Sequence, residues 1–120
     1  MAVNQVFQRE IVEVPYQLPD GIVKTHMALV LSTTKLQLAE DGMFYAALIS
    51  SKNINPEFTI RIDNEWLNKP LSKQSYFVTH IVSYYRVDEV IRSYNNFVKS
   101  EFFDSILNKV ILSMFDIEIE

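Results

Sequence analysis

The 120-residue sequence contains no cysteine and only two glycines. Without cysteine the chain has no disulfide framework and no thiolate nucleophile or metal ligand. Its two histidines, His26 and His80, make a poor zinc set without cysteine. Two isolated glycines cannot form a glycine-rich phosphate loop, and the nucleophile elbow of serine hydrolases is also missing. These absences exclude most familiar catalytic motifs.

The sequence also lacks a long apolar run, a secretion signal and an excess of positive charge. No hydrophobic stretch approaches the about 20 residues that span a membrane, and the N-terminus Met1-Ala2-Val3-Asn4-Gln5 has no basic and apolar signal architecture. The net charge is −4 at pH 7, which does not by itself indicate a nucleic-acid-binding protein. Residues 116–120 supply three of these negative charges, so the rest of the chain is close to neutral. We expect a soluble, cytoplasmic protein without membrane association.

The composition that remains is that of a globular protein. Hydrophobic residues make up 48% and charged residues 22% of the chain, and eight Phe, six Tyr and one Trp argue against disorder. A chain of this length is long enough for an ordinary core and too short for two domains. The sequence therefore predicts a single domain over residues 1–120.

The first two thirds of the chain read as strands. Asp20-Gly21 and Asp41-Gly42 are turn dipeptides, because glycine takes a positive φ without steric cost. Strand-like runs are predicted at residues 11–16 (ended by Pro15 and Pro19), 26–32, 43–51, 58–62 and 75–83. A short helical turn is expected at 63–67.

The last third reads as helical. Val87, Val90, Ile91 and Tyr94 follow helical spacing, with Asp88 available near the N-terminal cap. A wide apolar stripe predicts a C-terminal amphipathic helix from Phe103, Ile106, Leu107, Val110, Ile111 and Met114. The alternating residues 117–120 form either a short strand or a frayed tail. Together these elements predict an α+β, mainly β protein, a small curved sheet or barrel packed on a helix.

Two of the strand-like runs carry polar residues at one end. The first runs from Lys24 through His26 to Ser32, and the second runs from Phe44 to Ser50-Ser51-Lys52. If they pair antiparallel, the start of the first lies beside the end of the second. That arrangement gathers a titratable ring, hydroxyls and two cations at one rim of the sheet, which could handle a phosphate. His26 shares its strand face with Ala28, Val30 and Ser32, the less apolar face, which favours an accessible ring.

The order of these segments resembles the MazF/PemK-like toxins of type II toxin–antitoxin systems. The resemblance rests on Val14-Pro15-Tyr16, an Asp-Gly turn, the strand 24–32, Ile49-Ser50-Ser51-Lys52, the strand Thr79-His80-Ile81-Val82-Ser83 and a C-terminal helix. It covers roughly residues 10–115 in order. His26 falls where that family usually has a catalytic arginine, and Met27 replaces its usual proline. Ser50 or Ser51 falls on a small hydroxyl residue, and His80 on a frequent glutamine.

The resemblance implies a small SH3-like barrel with a C-terminal helix, usually a homodimer. It implies an mRNA-interferase-like hydrolase that cleaves single-stranded RNA without a metal or other cofactor, often leaving a 2′,3′-cyclic phosphate and a 5′-hydroxyl. A cognate antitoxin peptide would occupy the groove. The competing hypothesis is a catalytically inactive MazF-like binding module that uses the groove for a peptide or RNA.

Cleavage through the 2′-hydroxyl needs a proton acceptor, a proton donor and positive charge near the phosphorane. Histidine suits both proton roles, because an unperturbed imidazole titrates near pH 6.5. We therefore predict His26, Ser50 and Ser51 as catalytic residues. Lys24, Lys52 and His80 are predicted to bind substrate.

Each of these residues also has a structural interpretation. His26 would be a strand-end histidine without chemistry, and His80 a partly buried ring bonded to backbone. The two serines would satisfy a turn, and the lysines would be solvated point charges that lack the bidentate fork of arginine. Base stacking and core packing are the alternatives for the aromatic residues Tyr45, Trp66, Tyr76, Tyr84 and Tyr85.

Overall fold

Six antiparallel strands form one sheet, and a C-terminal helix packs on it. The computed structural model describes residues 3–119. In chain order the elements are β1 (Glu10–Gln17), β2 (Val23–Val30), α1 (Thr34–Ala39), β3 (Met43–Ser50), β4 (Thr59–Arg61), β5 (Tyr76–Arg86), β6 (Arg92–Phe97) and α2 (Ser100–Met114). The predicted α+β, mainly β class is confirmed. Within residues 3–119, no helix is long and apolar enough to cross a membrane.

The strand order is β4-β5-β3-β2-β1-β6, so β4 and β6 are the edges of an open sheet. The segment after β4 reaches across to the other edge, where Leu67 forms a β-bridge with Val98. The Lys99 amide also donates to the Trp66 carbonyl at 2.7 Å. Residues 66–69 therefore connect the segment after β4 to the end of β6 and the residues that follow it, at the opposite edge of the sheet.

Two apolar cores lie on opposite faces of the sheet. The first core lies between the sheet and α2 and includes Leu29, Phe77 and Ile106. The second core covers the other face and includes Ala28 and Phe44. Because neighbouring residues of a strand point to opposite faces, the run from Ala28 to Val30 is buried on both sides. The face that His26 shares with Ala28 is thus largely core, and His26 itself is half-buried.

The helix predicted around residues 87–94 is wrong. Val87–Glu89 form a single 3₁₀ turn, and β6 begins at Arg92. The Ile91 amide donates to the Glu13 carbonyl at 2.9 Å, and β6 pairs with β1 from there. Val87 and Val90 bury their side chains in the second core. Tertiary pairing has overridden a local apolar spacing that resembled a helix.

β1 (Glu10–Gln17) extends one residue beyond the predicted strand 11–16 at each end, so Pro15 lies inside the strand and does not end it. The carbonyl of Glu13 faces β6, so the imino nitrogen of Pro15, two residues later, points to the same side. The β6 pairing with β1 has already ended there, since Arg92 lies opposite Glu13. No ladder hydrogen bond is lost, which is why proline is tolerated.

Helix α1 was not anticipated from the sequence. Its six residues are too few to show a helical hydrophobic period. The feature of the sequence that marks it is the N-terminal cap, where Thr33 Oγ1 accepts a hydrogen bond from the Leu36 amide at 3.1 Å. The predicted C-terminal helix and the turn capped by Asp63 are both present. Residues 117–119 form no strand, and Glu120 lies outside the described residues.

Candidate functional site

A groove of about 510 Å³ lies where the start of β2 and the end of β3 face β6 and the loop before β5. Its lining comes from Glu13 of β1, Thr25, His26 and Met27 of β2, Ile49 and Ser51 at the end of β3, Lys69–Lys73 and Ser75 of the loop, and Tyr94 and Asn96 of β6. Its lining is more apolar than polar and carries a few charged, hydroxyl and amide side chains, which is the composition of a ligand site.

The predicted antiparallel pairing of the two polar-ended strands is present. Ala28 lies opposite Leu48, and Leu29 lies opposite Ala47. Two residues beyond the Ala28–Leu48 pair, the chain reaches His26 on one strand and Ser50 on the other. The start of β2 and the end of β3 are thus neighbours at one rim of the sheet, and His26 and Ser51 both line the groove.

His26 lies on the rim of this groove. Its ring stands edge-on against Tyr16, with the two ring centres 5.5 Å apart and an angle of 86° between the planes. Thr25 and Met27, its neighbours in sequence, belong to the opposite strand face but line the same groove. All three residues reach the groove because β2 is no longer paired with β3 at this point.

The two serines have different surroundings. Ser50 is buried, and its Oγ accepts a hydrogen bond from the Lys52 amide at 3.1 Å. This is the turn-satisfying arrangement that competes with a catalytic role. Ser51 is exposed and lines the groove. Of the two, Ser51 is the one whose hydroxyl can meet a ligand there.

The three predicted substrate-binding residues do not line the groove. Lys24 and Lys52 are exposed. His80 lies on β5, where its ring centre is 5.0 Å from that of Phe58 and its Nδ1 is buried without a hydrogen-bond partner among residues 3–119. Their substrate-binding roles stay predictions. The lysines that do line the groove are Lys69 and Lys73.

Sequence reasoning missed the contribution of β6. Arg92, Tyr94 and Asn96 alternate along one strand face, and the helical interpretation concealed this period of two. Arg92 Nε lies 3.2 Å from Glu13 Oε1, and its guanidinium lies 5.5 Å from the centre of the Tyr94 ring. Burial raises the pKa of Tyr94, the negative charge of Glu13 raises it further, and Arg92 opposes both.

The loop that carries the groove lysines is fastened to β6 by a buried amide. Asn96 Oδ1 accepts a hydrogen bond from the Lys69 amide at 2.9 Å, and Asn96 Nδ2 donates to the Lys69 carbonyl at 2.9 Å. The Oδ1 of Asn68 also accepts a hydrogen bond from the Phe97 amide at 3.2 Å. These contacts fix the backbone of Lys69 on the groove wall.

No protein-family model and no curated protein matches the sequence. Solved structures do match. The Mycobacterium tuberculosis toxin MazF-mt6 superposes with a TM-score of 0.66 at 15% identity, covering 92% of this chain and 100% of that chain. MazE-MazF (Form-III) from Deinococcus radiodurans gives 0.66 at 13% identity, covering 92% and 98%. An endoribonuclease in complex with its cognate antitoxin, from a mycobacterial species, gives 0.62 at 13% identity, covering 95% and 99%. The MazF-type fold implied by the resemblance is confirmed.

The titratable residues of the groove are spread around it. In the part of the chain from residue 3 to residue 119, no three histidine or carboxylate side chains are grouped to hold a metal ion. The groups of the groove available for chemistry include the His26 ring, the Ser51 hydroxyl, the Glu13 carboxylate and the cations of Lys69 and Lys73. This set can bind a phosphodiester and carry protons.

Proposed function

We propose that this chain is a toxin-like endoribonuclease of a type II toxin–antitoxin system that cleaves single-stranded RNA without a metal ion. The observation that carries the proposal is the groove, which brings His26 and Ser51 together with Lys69 and Lys73. A phosphodiester needs this combination of proton carrier, hydrogen-bond donor and positive charge. The MazF-type fold supports it, because MazF-mt6 is a toxin of that fold.

In the proposed reaction a base takes the proton of the 2′-hydroxyl as its oxygen attacks the adjacent phosphorus, and the bond from phosphorus to the 5′-oxygen breaks. The products are a 2′,3′-cyclic phosphate and a 5′-hydroxyl. His26 donates a proton to the departing 5′-oxygen, and Ser51 hydrogen-bonds a phosphate oxygen. Lys69 and Lys73 stabilise the additional negative charge of the phosphorane as point charges. Tyr94 offers an aromatic face to a base.

The partners belong to the same proposal. One matching structure is an endoribonuclease with its cognate antitoxin, and we extend this to an antitoxin peptide that covers the groove and blocks RNA. We also propose that the chain acts in the cytoplasm as a homodimer.

A catalytically inactive binding module is the second candidate, and one observation favours it. The His26 ring is packed edge-on against Tyr16, and the resemblance has this histidine in place of the family's usual arginine. A ring held there could contribute to packing alone, with the groove binding RNA or a peptide without cleaving it.

Incubation with a long single-stranded RNA in EDTA distinguishes the two candidates. The nuclease proposal expects cleavage from about pH 5 to pH 8, the range in which histidine titrates, with cyclic phosphate at the new 3′ ends. His26→Ala should reduce the rate while the protein stays folded. Retained RNA binding without any cleavage would establish the binding module instead.

His26→Arg sharpens this test, because it restores the residue usual at this position in the family. Arginine keeps a positive charge but is a poor proton carrier near neutrality. An active His26→Arg variant would mean that the position supplies charge to the phosphate. An inactive variant that still binds RNA would mean that the ring transfers a proton.

A further inference from the structure

Glu13 is the one carboxylate among the residues that line the groove within the described chain. It lies on β1 directly opposite Met27 of β2, on the face of the sheet that also carries Leu29 and Thr25. Its side chain is 14% exposed, so most of it is enclosed while part of it remains open. An anionic side chain in a groove proposed for an anionic ligand requires a reason.

Arg92 fixes the orientation of this carboxylate. The two residues are opposite each other in the β1–β6 pairing, and Arg92 Nε donates a hydrogen bond to Glu13 Oε1 at 3.2 Å. Within residues 3–119 no hydrogen bond reaches the other oxygen, Oε2. Since His80 Nδ1 is the single buried side-chain polar atom without a partner in that part of the chain, Oε2 is accessible. The carboxylate is therefore held through one oxygen and free at the other.

The surrounding charges let a polyanion approach. Glu13 contributes one negative charge, whereas Arg92 compensates it and Lys69 and Lys73 remain in excess. The groove is thus positive overall although the chain as a whole is negative. Arg92 is largely exposed, and an ion pair with one exposed partner contributes little to folding stability, so stability alone is a weak reason for Glu13 to be there.

We propose that Glu13 is the general base of the RNA cleavage and that Arg92 is its positioning residue; this inference rests on the proposed function. Glu13 Oε2 takes the proton from the 2′-hydroxyl as the 2′-oxygen forms its bond to phosphorus. The bond to the 5′-oxygen breaks, and that oxygen receives a proton from the His26 imidazolium. One proton is accepted and one donated, so the enzyme returns to its starting state after proton exchange with water.

Replacement of Glu13 by glutamine tests the base directly. Glu13→Gln keeps the size of the side chain and an oxygen that can accept the Arg92 hydrogen bond. Its amide cannot take up the proton of the 2′-hydroxyl. We expect kcat to fall by about 10²–10⁴-fold, with KM changed only slightly. The matched control is Asp88→Asn, which neutralises a carboxylate paired with Arg86 at 3.6 Å outside the groove. That variant should cleave at the parental rate.

The pH profile separates the base from the acid. Protonation of the base produces the acidic limb of the profile, and deprotonation of the acid produces the alkaline limb. The charged and titratable groups that contact Glu13 or line the groove with it are Arg92 and Tyr94 of β6, His26 of β2, and Lys69 and Lys73 of the loop. The acidic limb should vanish from the residual activity of Glu13→Gln and persist in that of His26→Ala. A purely structural Glu13 would leave both limbs in place.

Three further variants cover folding and positioning. Glu13→Asp retains a carboxylate, so it should keep the acidic limb of the pH profile at a reduced kcat. This variant still tests the inference if Glu13→Gln proves too unstable to assay. Arg92→Ala should lower kcat, and Arg92→Lys should recover part of that loss because a lysine can still hold Oε1.

The outcomes are distinct. Cleavage by Glu13→Gln at the parental rate, with the parental pH profile, overturns the inference and leaves the nuclease proposal standing. Equal losses in Glu13→Gln and Glu13→Asp, with both pH limbs retained, also overturn it. A parent that binds RNA but never cleaves it overturns both proposals together.

Discussion

The two histidines of this chain lie in two very different regions. His26 lies in the groove, beside hydroxyl, carboxylate and ammonium groups of four chain segments. His80 lies in the β5–α2 contact, which we define as His80, Phe58, Thr79, Lys109 and Ser113. There Thr79 Oγ1 is 2.8 Å from Ser113 Oγ, and Lys109 Nζ donates to the Glu57 carbonyl at 2.9 Å. The same residue type is surrounded by potential chemistry in one region and by packing in the other.

This difference shows that a candidate catalytic residue also requires neighbouring groups that are open to a ligand. Both histidines lie on positions that the resemblance assigns to a groove. In the β5–α2 contact the Thr79 and Ser113 hydroxyls and the Lys109 ammonium bond to backbone carbonyls or to each other, and His80 Nδ1 alone is buried without a partner among residues 3–119. The groove instead leaves Ser51, Lys69 and Lys73 available to a ligand. The predictions below compare the two regions directly.

The largest expected difference concerns the two histidines. His26→Ala should lose about 10²–10⁴-fold in the rate of RNA cleavage because a proton carrier is removed. His80→Ala should keep kcat within a few-fold, since His80 contacts Phe58 and not the groove. Single-turnover cleavage of a long RNA measures both, with circular dichroism to show that each variant is folded. A larger loss in His80→Ala than in His26→Ala would reverse our assignment of the site.

The second comparison uses one buried polar residue from each region. Asn96→Ala and Thr79→Val each leave backbone or hydroxyl partners unpaired, and each should cost about 1–3 kcal/mol of unfolding free energy. Only Asn96→Ala should also raise KM for RNA, because Asn96 fixes the backbone of Lys69. Urea unfolding and steady-state kinetics measure the two effects. An equal rise of KM in Thr79→Val would show that the regions are not independent.

The third comparison tests which lysines meet RNA. Lys69→Ala should lower the slope of log K against log salt concentration by about 0.7, the value for one phosphate contact with a single strand. Lys109→Ala, in the β5–α2 contact, should leave the slope unchanged. Fluorescence anisotropy with a short labelled RNA at several salt concentrations gives both slopes. Unchanged slopes in both variants would place the RNA elsewhere on the molecule.

The smallest expected effect is a shift in tyrosine titration. Burial, and then the charge of Glu13, raises the pKa of Tyr94, so Glu13→Gln should lower that pKa. Tyr85 is the control, because burial raises its pKa and Glu13 is not among the charges that act on it. Ultraviolet titration, with Tyr94→Phe and Tyr85→Phe to assign the signals, measures both. An unchanged Tyr94 would mean that Glu13 is directed away from β6.

These two tyrosines also set the sign of an alkaline effect on stability. Their pKa values are raised in the folded state, so the folded protein holds these protons more tightly than the unfolded chain. Their contribution is complete below about pH 10, the ordinary tyrosine value, and is lost as the pH rises through the folded values. Melting temperatures should therefore fall above about pH 10, and less so in Tyr85→Phe.

Much of the first half of the fold could be predicted from the sequence. The Asp41-Gly42 dipeptide forms a turn in which both residues have positive φ, and the strand 43–51 was placed within one residue. The apolar stripe at residues 103–114 also predicted helix α2. Phe103, Ile106 and Val110 of that stripe are buried, as expected for an amphipathic helix. Period and turn chemistry are local, so one sequence contains them.

The groove depended on contacts that no local pattern records. Glu13 and Arg92 are separated by 79 positions in the chain and meet only because β1 pairs with β6. Lys69 reaches the groove because Asn96 holds its backbone from a different strand. The sequence by itself determined the fold class and the neighbourhood of His26 and the Ser50-Ser51 end of β3, because strand period and antiparallel pairing bring those ends together. Only the tertiary structure decided which serine is free, which lysines lie beside it and where the carboxylate stands, because β-sheet pairing joins distant segments whose individual sequences do not specify their partners.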